Sequence, residues 1–280
     1  MTNTLTSLFP STLRLNRKKN KFDKLILIIS ILFFVSFTLY NCFYLNMLII
    51  QAIWEAFRKV SVLYITYLIM IELAPDNPNI YLLSYFVIGL SLVLFYRVFV
   101  FATLFFLFNI RILTKSSGYK SSVIELSFMM IFTVMEYFFS PFLYPLLFAI
   151  VLLLDFKFKN ADNTNIPFIV ISILMSLLWI NSGFSLMEAN LSIFSSILVI
   201  IVGIAYILRL SLIKSILSFN DLESNYISPK RVKASGLVLL VSLIILAIAH
   251  ATVTEFIHLW VMLACISLPF LKDLKHVING

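Results

Sequence analysis

Long apolar runs alternate with short polar segments from Leu25 to Leu271, and no extended polar domain interrupts them. A membrane-crossing helix needs about 20 apolar residues. Backbone groups in lipid must also form their hydrogen bonds within their own segment, which makes the runs helical. The pattern therefore predicts an all-α fold, a polytopic integral membrane helical bundle. We expect about 8–10 membrane segments, some of them short or re-entrant hairpins.

Composition supports this interpretation. The chain has 280 residues, of which 61% are hydrophobic and only 12% are charged, whereas about 25% of residues are charged in soluble domains. So few charges cannot cover a water-facing globule of this size. The predicted organisation is a basic tail over residues 1–24, a single transmembrane helical domain over residues 25–271, and a short tail over residues 272–280.

The stretch from Ile80 to Ile110 carries a single charge, Arg97, and allows two interpretations. As one helix it would be about 46 Å long, against a hydrocarbon core of about 30 Å, and Arg97 would lie near the middle of the membrane. With a break near Tyr96 and Arg97, it becomes two short crossings and Arg97 lies at the outer surface. The charge pattern described below favours the break.

The preceding run, Met47–Leu73, has two different halves. In the first half, polar residues recur at helical spacing along one side, as expected for a helix in the plane of the membrane interface. These residues are Gln51, Glu55, Arg58 and Lys59. The second half, Val60–Leu73, is apolar but short for a crossing. We therefore expect a short crossing after an interfacial segment, with Arg58 and Lys59 at the outer surface.

The distribution of basic residues predicts the orientation. If the run from Val123 to Asp155 is a hairpin divided at Ser140-Pro141, all but three of the 21 lysines and arginines lie on the side of the N-terminal tail, counting Arg209 at the end of its crossing. This is the positive-inside pattern. It places both termini in the cytoplasm, and we expect the inner membrane of a bacterium. The basic residues flank apolar runs, so nucleic acid is not an expected partner.

Six ionisable residues near the predicted outer ends of helices are the candidate polar site. They are Arg97, Glu136, Glu188, His250, Glu255 and His258. Two imidazoles and a carboxylate within nine residues could bind Zn²⁺ or relay protons. Thr252 and Glu255, however, form a capping box that starts a helix at Val253, which accounts for Glu255 without a metal. No metal site or cofactor is therefore predicted.

Arg97 has two possible environments. At the membrane surface its side chain reaches the lipid headgroups. Inside the membrane it would need an acidic partner, and Glu136 or Glu125 could serve. These two glutamates are eleven residues apart, close to three helical turns, so they share one helix face.

Three functions remain open, because no HExxH, GxSxG, P-loop or Rossmann pattern is present. A permease-like transporter of a small solute or lipid precursor fits many crossings joined by short loops. A membrane-embedded enzyme could act on a lipid at the outer leaflet with Glu255, His258 or Glu136 as general base. An accessory subunit would dock on a membrane protein partner. Loop economy with scattered polar residues favours the permease, whose partners are the lipid bilayer and a small-molecule or lipid substrate.

Overall fold

The structure is a computed structural model that describes residues 22–94, 98–137, 142–158, 163–180, 191–222, 225–250 and 253–269. Within these residues the chain forms ten α-helices, one 3-10 turn and one isolated β-bridge, which confirms the all-α prediction for the described part. The helices are α1 Asp23–Phe43, α2 Ile49–Leu73, α3 Pro78–Leu94, α4 Val100–Thr114, α5 Val123–Tyr137, α6 Leu143–Lys157, α7 Ile166–Ile180, α8 Ile193–Leu212, α9 Pro229–His250 and α10 Ile257–Ser267.

Three of these helices are long and apolar enough to cross a membrane: α1, α8 and α9. Four others, α3, α4, α7 and α10, contain shorter apolar stretches. Apolar side chains such as Ile193 and Phe194 of α8 are strongly exposed, as expected for helices that face lipid. These features support membrane association of the chain.

The described helices fall into two compact units. The first unit contains α5, α6, α7, α9 and most of α4, and the second contains α1, α2, α3, α10, most of α8 and the first residues of α4. The prediction of a single domain over residues 25–271 stays a prediction.

In the first unit, α6 is the central helix and contacts α5, α7 and α9. Its Tyr144 is fully buried and lies edge-on to the ring of Phe105 in α4. The start of α5 is fixed by a capping box that the sequence analysis missed. The Glu125 backbone amide donates to Ser122 Oγ at 3.1 Å, and the Ser122 amide donates to Glu125 Oε2 at 3.3 Å.

In the second unit, α1 packs along α2, and α3 contacts α1, α2 and α10. Gly89 of α3 permits a close approach, because a Cβ at this position would meet the ring of Phe33 in α1. A set of tyrosines fills the space beside it: the Tyr67 ring of α2 lies edge-on to the rings of Tyr81 and Tyr85 of α3. Small residues and interlocked rings thus bring these helices together.

Two predicted breaks are confirmed. The Ile80–Ile110 stretch is not one helix, because α3 ends at Leu94 and α4 begins at Val100. The run from Val123 to Asp155 is likewise two helices that contact each other, α5 and α6. Pro78 occupies the first position of α3, where its missing amide hydrogen costs nothing.

Two predicted boundaries are wrong. The segment Ile49–Leu73 is one continuous helix, not an interfacial segment followed by a separate crossing. Helix α10 begins at Ile257 and not at Val253, because residues Val253–Phe256 form a turn. Its N-cap residue, Phe256, makes no side-chain capping bond.

Candidate functional site

The six predicted site residues are only partly within the described residues. Arg97 and Glu188 lie outside them, and His250 is the last residue of α9, with its side chain also outside the description. Glu136 belongs to the first unit, whereas Glu255 and His258 belong to the second. Each of these described candidates is therefore considered within its own unit.

His258 is fully buried at the start of α10. Its Nε2 lies 3.1 Å from Thr103 Oγ1, and the threonine hydroxyl donates its own hydrogen to the Phe99 carbonyl at 2.7 Å. The hydroxyl has one hydrogen, so His258 Nε2 must be the donor to Thr103, and Nδ1 carries the lone pair of the neutral ring. Nδ1 has no hydrogen-bond partner among the described residues. Any role of His258 as a base would therefore fall to Nδ1.

Glu255 lies in the turn before α10 and is half-buried. The predicted capping box depends on Thr252, which lies outside the described residues, and the helix starts later than the box requires. Among the residues that the structure describes, no three histidine, cysteine, aspartate or glutamate side chains are grouped so that they could hold a metal ion.

The two glutamates of α5 differ in their surroundings. Glu136 is 8% exposed, near the end of the helix. Glu125 is fully buried at the start of the helix and accepts the Ser122 backbone amide. Since Glu125 caps its own helix, its burial is accounted for without Arg97.

Two buried arginines that the sequence analysis used only for orientation hold the ends of helices. In the second unit, Arg209 Nη2 donates to the carbonyl of Leu73, the last residue of α2, at 2.7 Å. In the first unit, Arg231 Nη1 donates to the Leu113 carbonyl near the end of α4 at 2.9 Å, and to Asp155 Oδ1 at 3.0 Å. The last four carbonyls of a helix lack partners within the helix. Both arginines therefore have a clear structural role.

The second unit also contains a group of polar residues where α1 packs on α2, which we call the Lys59 cluster: Asn41, Glu55, Arg58 and Lys59. Asn41 and Lys59 are buried, whereas the side chains of Glu55 and Arg58 are 12% and 34% exposed. Lys59 is 1% exposed, and its Nζ lies 5.4 Å from the centroid of the Phe37 ring. The prediction that Arg58 and Lys59 lie at the outer surface of the membrane stays a prediction, but the Lys59 side chain is buried within the unit.

Glu55 and Arg58 form an ion pair of 2.7 Å between Oε1 and Nη1. Arg58 Nη2 also donates to the Val98 carbonyl at 2.9 Å, which links α2 to the segment before α4. Asn41 of α1 is fully buried, and its Nδ2 donates to the Ala52 carbonyl at 3.3 Å. The cluster is thus fixed to both helices of the pair.

Several polar atoms of the Lys59 cluster are left without partners. Asn41 Oδ1 and Glu55 Oε2 are buried and accept no hydrogen bond within the described part of the chain. No described residue accepts a hydrogen bond from the Lys59 ammonium, which lies against the Phe37 ring and is attracted electrostatically by Glu55. Burying a polar group without a partner costs roughly 1–3 kcal/mol, and a charge costs more. Such groups commonly have a functional reason.

One signal in the sequence could have identified Lys59. Ala52, Ala56, Lys59 and Leu63 recur at helical spacing, and all four are buried. Positions with this period share one helix face. Two alanines on that face permit close packing by α1, and Lys59 then lies on the same buried side.

No protein-family model, curated protein or solved structure matches this chain.

Proposed function

We propose that this chain is a permease-like membrane protein that carries a small solute or a lipid precursor across the bilayer, with the Lys59 cluster on the path. The observation that carries the proposal is the buried Lys59 side chain, whose ammonium makes no hydrogen bond within the described residues. Ionisable residues inside membrane segments are costly, and they commonly mark the path of a substrate or ion. Within the described residues this charge lies against the Phe37 ring and is attracted by Glu55, but it holds no helix end.

The position of Lys59 along α2 supports a role within the membrane. Lys59 is ten residues after Ile49, so it lies about 15 Å along an axis about 37 Å long. Helix α2 is not among the described helices that could span a membrane by length and composition, so its crossing is part of the proposal. In the proposed path α2 runs inward from the outer surface, and Lys59 lies about 15 Å below the outer end of the helix.

The basic residues predict that successive helices cross the membrane in opposite directions, and we call this course of the chain the alternating path. Contacts in the second unit support it. This path puts the start of α1 and the ends of α2 and α8 on the cytoplasmic side. Tyr67 near the end of α2 donates to Asp23 at the start of α1 at 2.6 Å, and Arg209 of α8 donates to Leu73 at the end of α2. Both contacts join residues that the path puts on one side.

The opposite side of the second unit gives the same agreement. The path puts the start of α4 and the start of α10 on the outer side. His258 pairs with Thr103, and each lies near the start of its helix. Within the first unit, Arg231 contacts Leu113 and Asp155, all of which the path puts in the cytoplasmic half.

The test is solute flux in liposomes that contain the full-length chain. The vesicles are offered a radiolabelled panel consisting of a carboxylate, a phosphate ester, an amino acid, a sugar and a polyamine, and a fluorescent lipid reports lipid movement. We expect flux of at least one probe above empty vesicles. Lys59→Met should reduce this flux at least tenfold, because the solute loses the charge that binds it.

Lys230→Met is the matched control, because Lys230 is an exposed lysine at the start of α9. This variant should retain the flux of the unmodified protein. Flux at the level of empty vesicles for every probe, or full flux in Lys59→Met, would contradict the proposed function.

A further inference from the structure

We propose that the Lys59 cluster binds a small oxyanion that also carries a hydroxyl or a similar hydrogen-bond donor, such as a hydroxycarboxylate or the phosphate monoester of a polyol. The inference rests on the proposed function and specifies its substrate class. It follows from the charge of the cluster, from its unused hydrogen-bonding atoms and from the way in which Phe37 holds the ammonium.

The charge of the cluster favours an anion. Glu55 is the one negative charge and interacts with both Arg58 and Lys59, so the two positive charges leave the cluster with one net positive charge. Its ammonium has three N–H donors and lies against an aromatic ring. A ring face stabilises a cation by up to about 2 kcal/mol when the site is desolvated, less than the several kcal/mol that burying an ion costs. A bound oxyanion would supply the missing charge and acceptors.

The unused acceptors of the cluster require a donor on the same ligand. Asn41 has its amide nitrogen fixed by the Ala52 carbonyl, so its unpartnered atom is the oxygen. Glu55 uses Oε1 for Arg58, and its Oε2 is unpartnered. An oxyanion alone would leave both oxygens unsatisfied. A ligand hydroxyl can donate to one of them, and unpaired acceptors in a binding site strongly disfavour analogues that lack the donor.

The geometry of the α1–α2 pair holds these groups close together. Asn41 and Phe37 are one helical turn apart on α1, and Glu55 and Lys59 are one turn apart on α2. Asn41 contacts α2 at Ala52, and Phe37 contacts it at Lys59. Glu55 lies between these two levels of α2. A ligand of three or four carbon atoms matches the spacing of about one turn, roughly 5 Å.

Two sources can supply such a ligand, a free small acid or the headgroup of an anionic lipid. The shared chemistry is an oxyanion beside a hydroxyl. The binding experiment therefore has two arms. The first arm uses nanodiscs of phosphatidylcholine with soluble probes. The second arm uses nanodiscs with phosphatidylglycerol, whose headgroup carries a phosphate and free glycerol hydroxyls.

The soluble probes differ by one feature at a time. Lactate and glycerol 3-phosphate carry both an oxyanion and a hydroxyl, propionate lacks the hydroxyl, and glycerol lacks the anion. Binding to the full-length chain is measured by calorimetry and by the shift of the melting temperature. We expect lactate or glycerol 3-phosphate to bind at least tenfold more tightly than propionate and glycerol. In the lipid arm, we expect phosphatidylglycerol to compete with the soluble probe if a headgroup is the natural ligand.

Variants test which residue of the Lys59 cluster recognises the oxyanion of the ligand and which recognises its hydroxyl. Lys59→Met should weaken binding of both anions at least tenfold, and Lys59→Arg should restore part of it because the charge is kept. Asn41→Leu should reduce the preference for lactate over propionate at least threefold while propionate binding persists. Lys230→Met should bind as the unmodified chain does. Lys59→Met should remain folded, because no hydrogen bond within the described residues is lost.

Three results would overturn the inference. These are equal binding of glycerol and lactate, anion binding that survives in Lys59→Met, or an unchanged lactate preference in Asn41→Leu. The two proposals fail separately. Flux of a neutral or cationic probe with no anion binding would refute the ligand class and leave the permease proposal standing. Lys59-dependent anion binding without flux of any probe would refute the permease and leave the ligand class standing.

Discussion

Replacing Gly89 with alanine tests whether α1 and α3 approach each other as closely as the structure indicates. A Cβ at position 89 would lie within 2.8 Å of three atoms of the Phe33 ring, and real Cβ contacts this short are essentially absent. The ring is 8% exposed and stacks on Phe37 with 5.5 Å between centroids. It therefore cannot turn aside without disturbing its neighbours.

The expected cost can be derived from this geometry. Inserting a methyl group into a packed core destabilises a protein by about 1–3 kcal/mol. The helix propensity of alanine exceeds that of glycine by about 1 kcal/mol, which opposes this cost. Because the overlap involves three ring atoms, we expect a packing cost in the upper part of this range, about 2–3 kcal/mol. After the gain in helix propensity, Gly89→Ala should lower the free energy of unfolding by about 1–2 kcal/mol. Titration of the purified protein from mild detergent into dodecyl sulfate, followed by circular dichroism, measures the change.

The second substitution Phe33→Leu identifies the cause, because the shorter side chain removes the overlap. In that background Gly89→Ala should be neutral or stabilising, which gives a coupling free energy of at least about 1 kcal/mol in the double-mutant cycle. Gly203→Ala is the control, since a Cβ at position 203 meets no atom within 4 Å. Equal stability of Gly89→Ala and Gly203→Ala would refute the close packing of α1 on α3.

Two further substitutions test the first unit by the same titration. Asp155→Leu or Arg231→Leu alone should each lower the free energy of unfolding by about 3–5 kcal/mol, because each removes one partner of a buried ion pair. The double variant should lose much less than the sum, and additive losses would argue against the ion pair. Gly118→Ala should lose about 1–3 kcal/mol, because residue 118 has a φ of 81° that side chains with a Cβ rarely adopt. No loss in Gly118→Ala would exclude this backbone conformation.

The parts of the fold that the sequence predicted well depend on local signals. The length of the Ile80–Ile110 stretch raised the possibility of a break, and the distribution of basic residues along the chain favoured it. The start of α3 follows from Pro78, whose fixed φ suits the first position of a helix. Such signals act within a few residues, so they can be read without knowing which helices are neighbours.

The parts that were missed depend on contacts distant in sequence. Helix α2 was divided because Arg58 and Lys59 were assigned to the membrane surface. In the structure Arg58 binds the Val98 carbonyl, and Lys59 lies on the Phe37 ring. These contacts let a helix continue through two charged positions. Neither partner could be identified from the sequence, because the pairing of helices was not known.

The candidate site was missed for a related reason. Charged residues were assigned to the ends of helices, and the search for chemistry was confined to the outer loops. Arg231 shows the consequence, since it was counted in a cytoplasmic loop and lies instead in the first turn of α9. A positive charge is disfavoured there by the helix dipole. Asp155 and the Leu113 carbonyl compensate for it, and both come from other helices.

Three of the buried cations in the described part of the chain, Arg209, Arg231 and Lys59, differ in what the fold gains from each of them. Arg209 and Arg231 donate to carbonyls at the ends of helices, which have no partner within those helices. Their removal should therefore cost stability. Lys59 is near the middle of α2, where the backbone carbonyls already accept hydrogen bonds from the next turn, so it has no helix end to hold. Lys59→Met should therefore cost little stability and most of the proposed flux. This opposite response of stability and flux is what would distinguish a site at Lys59 from a structural cation such as Arg209 or Arg231.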